Sequence, residues 1–228
     1  MKSTLKNMVL VLFGITAIAA LLVGLVNDIT KNTIAQTEQR NKDLAKLEVL
    51  PEFEGEPQLE EKSRKIGDFN INVTIVKAQD QLVGYAVEAP SITSNGYGDR
   101  IYLMVGFVEQ EGKAVINGVK VISQKETPGL GANMTNEGNN LERSVVGKDA
   151  AELKFAVKKK GGSLDALAGA TISSSAYANA VETAYAGYLW AKGELPSAEN
   201  ATSGATKSTQ ESETNDESEA QKGDLSNE

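Results

Sequence analysis

From Met8 to Val26 the chain runs nineteen residues without a charge, MVLVLFGITAIAALLVGLV. As a helix this run is about 28 Å long, close to the thickness of a bilayer's hydrocarbon core. The run is therefore predicted to span a membrane. Lys2 and Lys6 precede it, and Asn27 and Asp28 end it. A cleaved signal peptide has a shorter apolar region that ends in a small-x-small site. This run is longer and no such site follows it, so a retained single-pass anchor is expected. Lys2 and Lys6 favour an N-inside orientation, although Lys31 lies close on the far side.

The remaining residues narrow the chemistry by what they lack. Among 228 residues there is no Cys and no His. Disulfides, thiolate nucleophiles, Cys/His zinc sites, Cys-ligated iron–sulfur clusters and His-ligated haem are excluded. So are Ser-His-Asp hydrolysis and histidine general-base catalysis. The net charge of −8 argues against a nucleic-acid partner, which calls for a basic footprint. Carboxylates, hydroxyls, lysines, backbone amides or a cofactor brought from outside remain.

After the anchor, Asp28–Leu50 is polar with spaced Ile29, Ile34, Leu44, Leu47 and Leu50, and reads as a helix that continues from the membrane and docks on a domain. Pro51 and the Glu-rich stretch after it close that helix. Ile71–Ala78 and Leu82–Ala89 flank a short Gln-Asp-Gln turn and are predicted to form a hairpin. Arg100–Val108 and Ala114–Ile122 flank a loop containing Gly112 and form a second. Glu152–Lys159 is a further strand candidate, and Lys158-Lys159-Lys160 after it reads as a solvated turn. A helix is predicted from about Ser173 to Lys192, with Tyr177, Val181, Ala184, Tyr185, Tyr188 and Leu189 on its apolar side and Gly193 and Pro196 ending it. The fold class expected is α+β: one N-terminal transmembrane helix, then a mostly antiparallel sheet with packed helices. The segments are 1–28 (anchor), 29–66 (juxtamembrane helix and linker), 67–196 (the globular domain) and 197–228 (an acidic tail). The tail holds −6 of the net charge and one large apolar residue, Leu225, so it is expected to be disordered.

Two stretches depart from ordinary domain sequence. Asp165-Ala-Leu-Ala-Gly-Ala-Thr171-Ile-Ser-Ser precedes the last helix. Its small residues permit close approach of a backbone or ligand, and its hydroxyls lie where free N–H groups favour an anion. On spacing alone the plainer reading, Thr171 or Ser173 as an N-cap, is favoured. The second stretch, Gln124-Lys-Glu-Thr-Pro-Gly-Leu-Gly131-Ala-Asn, is either a decorated turn or a loop that brings amides up to a planar ring. No Walker phosphate loop or dinucleotide fingerprint occurs.

Together these residues resemble the FMN-binding domain. LDALAGATISS is similar to its flavinylation motif, roughly Asp-x-x-(Ser/Thr)-Gly-Ala-Thr-x-(Ser/Thr). Gly96-Tyr97, Met104-Val105-Gly106 and KETPGLG follow the order of its upstream signature. With one N-terminal span, the region from Lys2 to Gly193 resembles the G subunit of the Rnf ion-translocating electron-transport complex. The related C subunit of the sodium-translocating NADH:quinone reductase is the near alternative. The resemblance implies an FMN joined through its phosphate to the Thr171 hydroxyl by a flavin transferase that uses FAD. It implies that Asp165, Gly169, Ala170, Ile172 and Ser173 form the attachment segment, and that Glu126, Thr127, Gly129, Leu130 and Gly131 pack by the flavin. It implies no metal and no catalytic residue of the chain's own. It further implies an electron carrier in the bacterial inner membrane, with its domain on the extracytoplasmic side and other membrane and redox subunits as partners. That complex couples ferredoxin:NAD⁺ electron flow to Na⁺ or H⁺ movement. The contrasting possibilities are a cofactor-free anchored binding or assembly module, and an FMN-domain protein of another respiratory or regulatory system.

Two departures bear on the resemblance. Ala168 stands where the family has a hydroxyl residue, and Gln124 where a His often precedes Lys-Glu-Thr-Pro. In the tail, Ser203-Gly204-Ala205-Thr206 spells the motif again, but Asn200 replaces its Asp and no apolar helix follows. Thr206 is therefore not expected to be the attachment site.

Overall fold

The chain's local chemistry favours tight antiparallel turns. In the computed structural model, which describes residues 5–194, five strands form one antiparallel meander in chain order. They are β1 (Pro57–Ile66), β2 (Phe69–Ala78), β3 (Gln81–Pro90), β4 (Tyr102–Gln110) and β5 (Lys113–Ser123). The acidic tail and its Ser-Gly-Ala-Thr copy lie outside the described residues. Three connections have only two residues. Gln79-Asp80 (φ 50° and 62°) and Glu111-Gly112 (φ 52° and 78°) keep both residues left-handed, the backbone that matches the twist of a two-residue hairpin. The fourth connection, between β3 and β4, is long and becomes part of the site described below.

Register places valines across the sheet: Val73 opposite Val87, Val87 opposite Val105 and Val105 opposite Val119. Strand alternation sends Ile71, Val73, Val87, Leu103, Val105 and Phe107 to one face. The long helix α3 (Thr171–Lys192) covers that face. Tyr188 stacks on Phe107 with ring centres 5.0 Å apart and meets Tyr85 edge-on at 5.0 Å. Burial pushes the Tyr188 hydroxyl up to about 12. Gly193 ends α3 at φ 82°, with its N–H on the Trp190 carbonyl and that of Glu194 on Leu189, a Schellman stop.

The opposite face carries Val76, Ala86, Met104 and Val108 and is covered by Ala45 at the end of α1 (Leu5–Glu48) and by Val49 and Leu50 just after it. The apolar run is therefore the first part of one 44-residue helix, long and apolar enough at its N-terminal end to cross a membrane. Of the apolar residues expected to dock, Ile29, Ile34 and Leu44 are exposed instead, and docking begins at Ala45. Three ion pairs surround the docked end: Lys42–Glu88, Lys46–Glu61 and Lys120–Glu48, at 2.5, 2.7 and 2.9 Å.

The structure corrects three sequence expectations. Residues 57–66, assigned to the linker, form strand β1 and pair along their whole length with β2. Glu152–Lys159 is not a strand: it lies between short 3₁₀ turns at Ala150–Glu152 and Lys158–Lys160, with one bridge from Val157 to Leu164. Its alternating Leu153 and Phe155 still pack against the core, Phe155 lying 5.9 Å from the Tyr185 ring, and Val157 is buried. The last helix begins at Thr171 rather than Ser173.

Candidate functional site

Three segments far apart in sequence meet beside the first turn of α3: the β3–β4 connection around Gly96–Gly98, the Gln124–Gly131 loop after β5, and Asp165–Ser173. Each is shaped locally. The loop after β5 turns through Gly129 at φ 78°, and the Leu130 and Ala132 amides both donate to the Thr127 carbonyl, at 3.1 and 3.2 Å. A 3₁₀ turn, Gly131–Thr135, follows. Before α3 the chain turns at Gly169, φ 70°, where a Cβ would also approach Leu130 at 3.2 Å.

The side chain that joins the segments is Glu126. It is 6 % exposed. One oxygen accepts from the Ser173 hydroxyl at 2.5 Å, the other from the Gly98 amide at 3.2 Å. Its own N–H donates to the Gln124 side chain at 2.6 Å. The surrounding backbone is packed to the limit of glycine. A Cβ at Gly131 would lie 2.5 Å from Ser173 Oγ and 2.8 Å from Glu126 Oε2. There is likewise no room for one at Gly96, against Glu126, or at Gly98, against the Lys125 carbonyl. On the outer side Lys125 pairs with Asp99 at 3.0 Å. The Asp99 carboxyl is held below its ordinary range, first by the Arg100 amide and then by Lys125.

Thr171 is the first helical residue, half-buried. Ala170 occupies the cap position, and no side chain caps the helix. Neither Thr171 nor Ser173 is therefore an N-cap: Ser173 is bound to Glu126, and the Thr171 hydroxyl has no hydrogen-bond partner among the described residues. The neighbouring hydroxyls are occupied. Ser174 donates to the Ala170 carbonyl and receives the Leu167 amide, and Ser175 donates to the Thr171 carbonyl. The amides of Thr171, Ile172 and Ser173 come before the first rung of the helical ladder, Ser174 to Ala170, and with the positive end of the helix dipole favour an anion. Large apolar side chains stand exposed on all three segments: Tyr97, Leu130 and Ile172.

The structure thus joins most of the residues singled out in the sequence, but in different roles. Ser173, Glu126 and Gly131 form a buried seam. Thr127, Gly129, Leu130, Gly169 and Ile172 are exposed around it, with Ala170 buried behind Thr171. Asp165 stands apart: it is exposed, paired with Lys158 at 2.8 Å, and its amide donates to Ser144. Lys158 is exposed, as expected of a solvated turn, and its bridge to Asp165 is a surface pair. The sequence missed Gly98 and Asn179. Asn179 is one of four polar residues buried on α3, with Ser173, Ser174 and Thr183, and carries no local signal that singles it out. On the sheet's other face, beside α1, two half-open clefts of about 460 and 470 Å³ share Lys42 and Glu88. Exposed Thr127, Gly129, Leu130, Gly169 and Ile172 form a ledge near Thr171.

The model of the FMN-binding domain matches residues 96–186, which contain all three segments. The G subunit of the Na⁺-translocating ferredoxin:NAD⁺ oxidoreductase complex of Acetobacterium woodii is 32 % identical over 185 residues, covering 75 % of this chain and 86 % of that protein. The chain belongs to this family of G subunits. Within the family, the G subunit of the ion-translocating oxidoreductase complex of Shewanella amazonensis is 33 % identical, covering 79 % of this chain and 86 % of the relative. The corresponding protein of Pseudomonas aeruginosa is 32 % identical, with 80 % and 87 % covered. Shared length on this scale extends beyond the FMN-binding region into the sheet, so the resemblance is not confined to one motif.

Proposed function

We propose that this chain is the membrane-anchored flavin carrier of an ion-translocating oxidoreductase complex, with FMN joined to Thr171 through a phosphodiester. One observation carries the proposal: the Glu126–Ser173 bond draws the KETPGLG loop onto the helix turn where the Thr171 hydroxyl is left without a partner among the described residues. The residues fit the group. A half-buried hydroxyl offers the ester oxygen, and first-turn amides face the remaining phosphate charge. Glycines at 129 and 169 keep the ledge low, and Tyr97, Leu130 and Ile172 offer apolar cover to a ring. FMN supplies the electron chemistry when bound.

The chain's own part is to tether, orient and shield. Attachment breaks the pyrophosphate of FAD: the Thr171 oxygen takes the FMN phosphate, AMP leaves, and the hydroxyl proton goes to solvent or the transferase. Exposed Asp165 and Gly169 suit recognition by that transferase, because they lie outside the buried seam. Glu126, with both oxygens occupied, holds the loop and does not bind the ring. Electrons come from and go to partner subunits, since the chain has no Cys or His for a second redox centre. The anchor's flanking Lys2 and Lys6 support an extracytoplasmic domain, the side on which the transferase of the resembling family acts.

The test is in-gel flavin fluorescence after boiling in SDS, using the full chain co-expressed with a flavin transferase. Wild type and Thr206→Val should fluoresce, and Thr171→Val should be dark. A dark wild-type band, with the transferase active on a control substrate, would leave a cofactor-free anchored module.

A further inference from the structure

Asn179 lies two turns along α3 from Thr171 and is 7 % exposed. Its side-chain oxygen accepts from three consecutive backbone amides, those of Ile92, Thr93 and Ser94, at 2.7, 2.8 and 3.3 Å. Its side-chain nitrogen donates to Glu182 at 3.2 Å. An amide oxygen has two lone pairs, so three donors saturate it and fix the curl of the loop around it. The same loop is held from the other side. Arg100 donates to the Ser91 and Ile92 carbonyls at 2.7 and 2.9 Å while lying 4.1 Å over the Phe69 ring. The Ser91 amide donates to the Ile101 carbonyl, and the Ile101 amide donates to Ser91 Oγ.

From Ser94 the chain runs directly to Gly96, Tyr97 and Gly98, the glycine shelf that abuts Glu126. Helix α3 is therefore bonded to this one loop twice: through Ser173 and Glu126 at its start, and through Asn179 six residues on. We propose that Asn179 is a positioning residue for the flavin. It registers the 92–98 loop on the same rigid helix that carries Thr171, so the shelf bearing Tyr97 cannot shift relative to the tether. This inference rests on FMN being attached at Thr171.

The test uses the full chain, flavinylated, as wild type, Asn179→Leu and the double variant Asn179→Asp/Glu182→Gln. The double variant keeps an acceptor for the three amides and reverses the bond to position 182. Asn179→Leu should retain the covalent fluorescent band in SDS. In the native protein it should lose the flavin's visible circular dichroism and be quenched more steeply by iodide. Exchange of the Thr93 and Ser94 amides should be about tenfold faster, the effect of losing one hydrogen bond. The double variant should restore all three signals. Wild-type flavin signals in a loaded, folded Asn179→Leu, or a folded double variant without recovery, would overturn the proposal. If Asn179→Leu does not fold, Arg100→Met loosens the loop from its outer side. Faster exchange there with unaltered flavin signals overturns it equally. A dark wild-type band sinks the attachment reading instead, and the exchange measurement, which needs no flavin, still decides whether Asn179 sets the loop.

Discussion

Glu126 receives two unlike contacts on one carboxylate, a hydroxyl from α3 and an amide from the β3–β4 loop, in a space closed by glycines. Removing it strands both donors in a buried seam. Glu126→Ala should therefore lower stability by about 1–3 kcal/mol, the penalty of unsatisfied buried groups. Glu126→Gln should stay near wild type, because an amide can accept from Gly98 and donate to Ser173. Urea unfolding of the two variants checks this, and equal losses would mean that the charge, rather than the bonding, matters. Legibility at this scale divides by how local the signal is. Thr171 stood out because its neighbours spell a contiguous motif. Glu126 was visible as a residue but not in its role, since the partners that bury it lie 28 and 47 positions away. Asn179 was not visible at all: its three donors come from 85 to 87 positions upstream, and no spacing rule connects them.

At the scale of elements, the two hairpins were plain from alternating apolar residues around short polar turns, because each buries a face. Strand β1 was not, because it is an edge strand. Its sequence, PQLEEKSRKI, is mostly exposed and charged, as edges are when they must not pair with other chains. Only the register with β2 makes it a strand. The opposite error at 152–159 has the same root: alternation reports which side chains are buried, not whether the backbone finds a partner. Packing between elements was equally hidden. The end of α1 approaches the sheet so closely that Gly106 on β4 has no room for a Cβ against the Val49 carbonyl, and one at Gly118 would lie 3.1 Å from Val49 Cα. Asn117 donates to that same carbonyl at 3.0 Å. Gly106→Ala should push α1 off the sheet and lower stability by about 1–3 kcal/mol. Gly112→Ala, in the β4–β5 turn with open space around it, removes no such packing and should leave α1 docked. Thermal unfolding, with limited proteolysis near residue 50, distinguishes a detached helix from a general loss.

For the whole molecule, the consequence of one unbroken helix is a fixed reach. The apolar run ends at Val26 and the first docked residue is Ala45, so α1 stands about 28 Å between membrane and domain at 1.5 Å per residue. Ile29, Ile34 and Leu44 are exposed along it. The sequence showed this helix continuing from the span to a docked end, but not that Ile29, Ile34 and Leu44 stand clear of the domain. If partner subunits meet the flavin at a set height and face, both properties are encoded in the residue count of the stalk. Deleting seven residues, 30–36, lowers the domain by about 10 Å yet turns it only about 20°. Deleting two, 32–33, lowers it by about 3 Å but turns it about 200°, at 100° per residue. Neither deletion touches the domain, so flavin attachment in SDS gels should be unchanged in both. Electron transfer by membranes carrying the assembled complex should fall in both, and further in the two-residue deletion if the Thr171 face must point at its partner. A larger loss in the seven-residue deletion would make height the controlling variable. Undiminished turnover in both would mean that the stalk bends, and that α1 does not hold the domain as a rigid post.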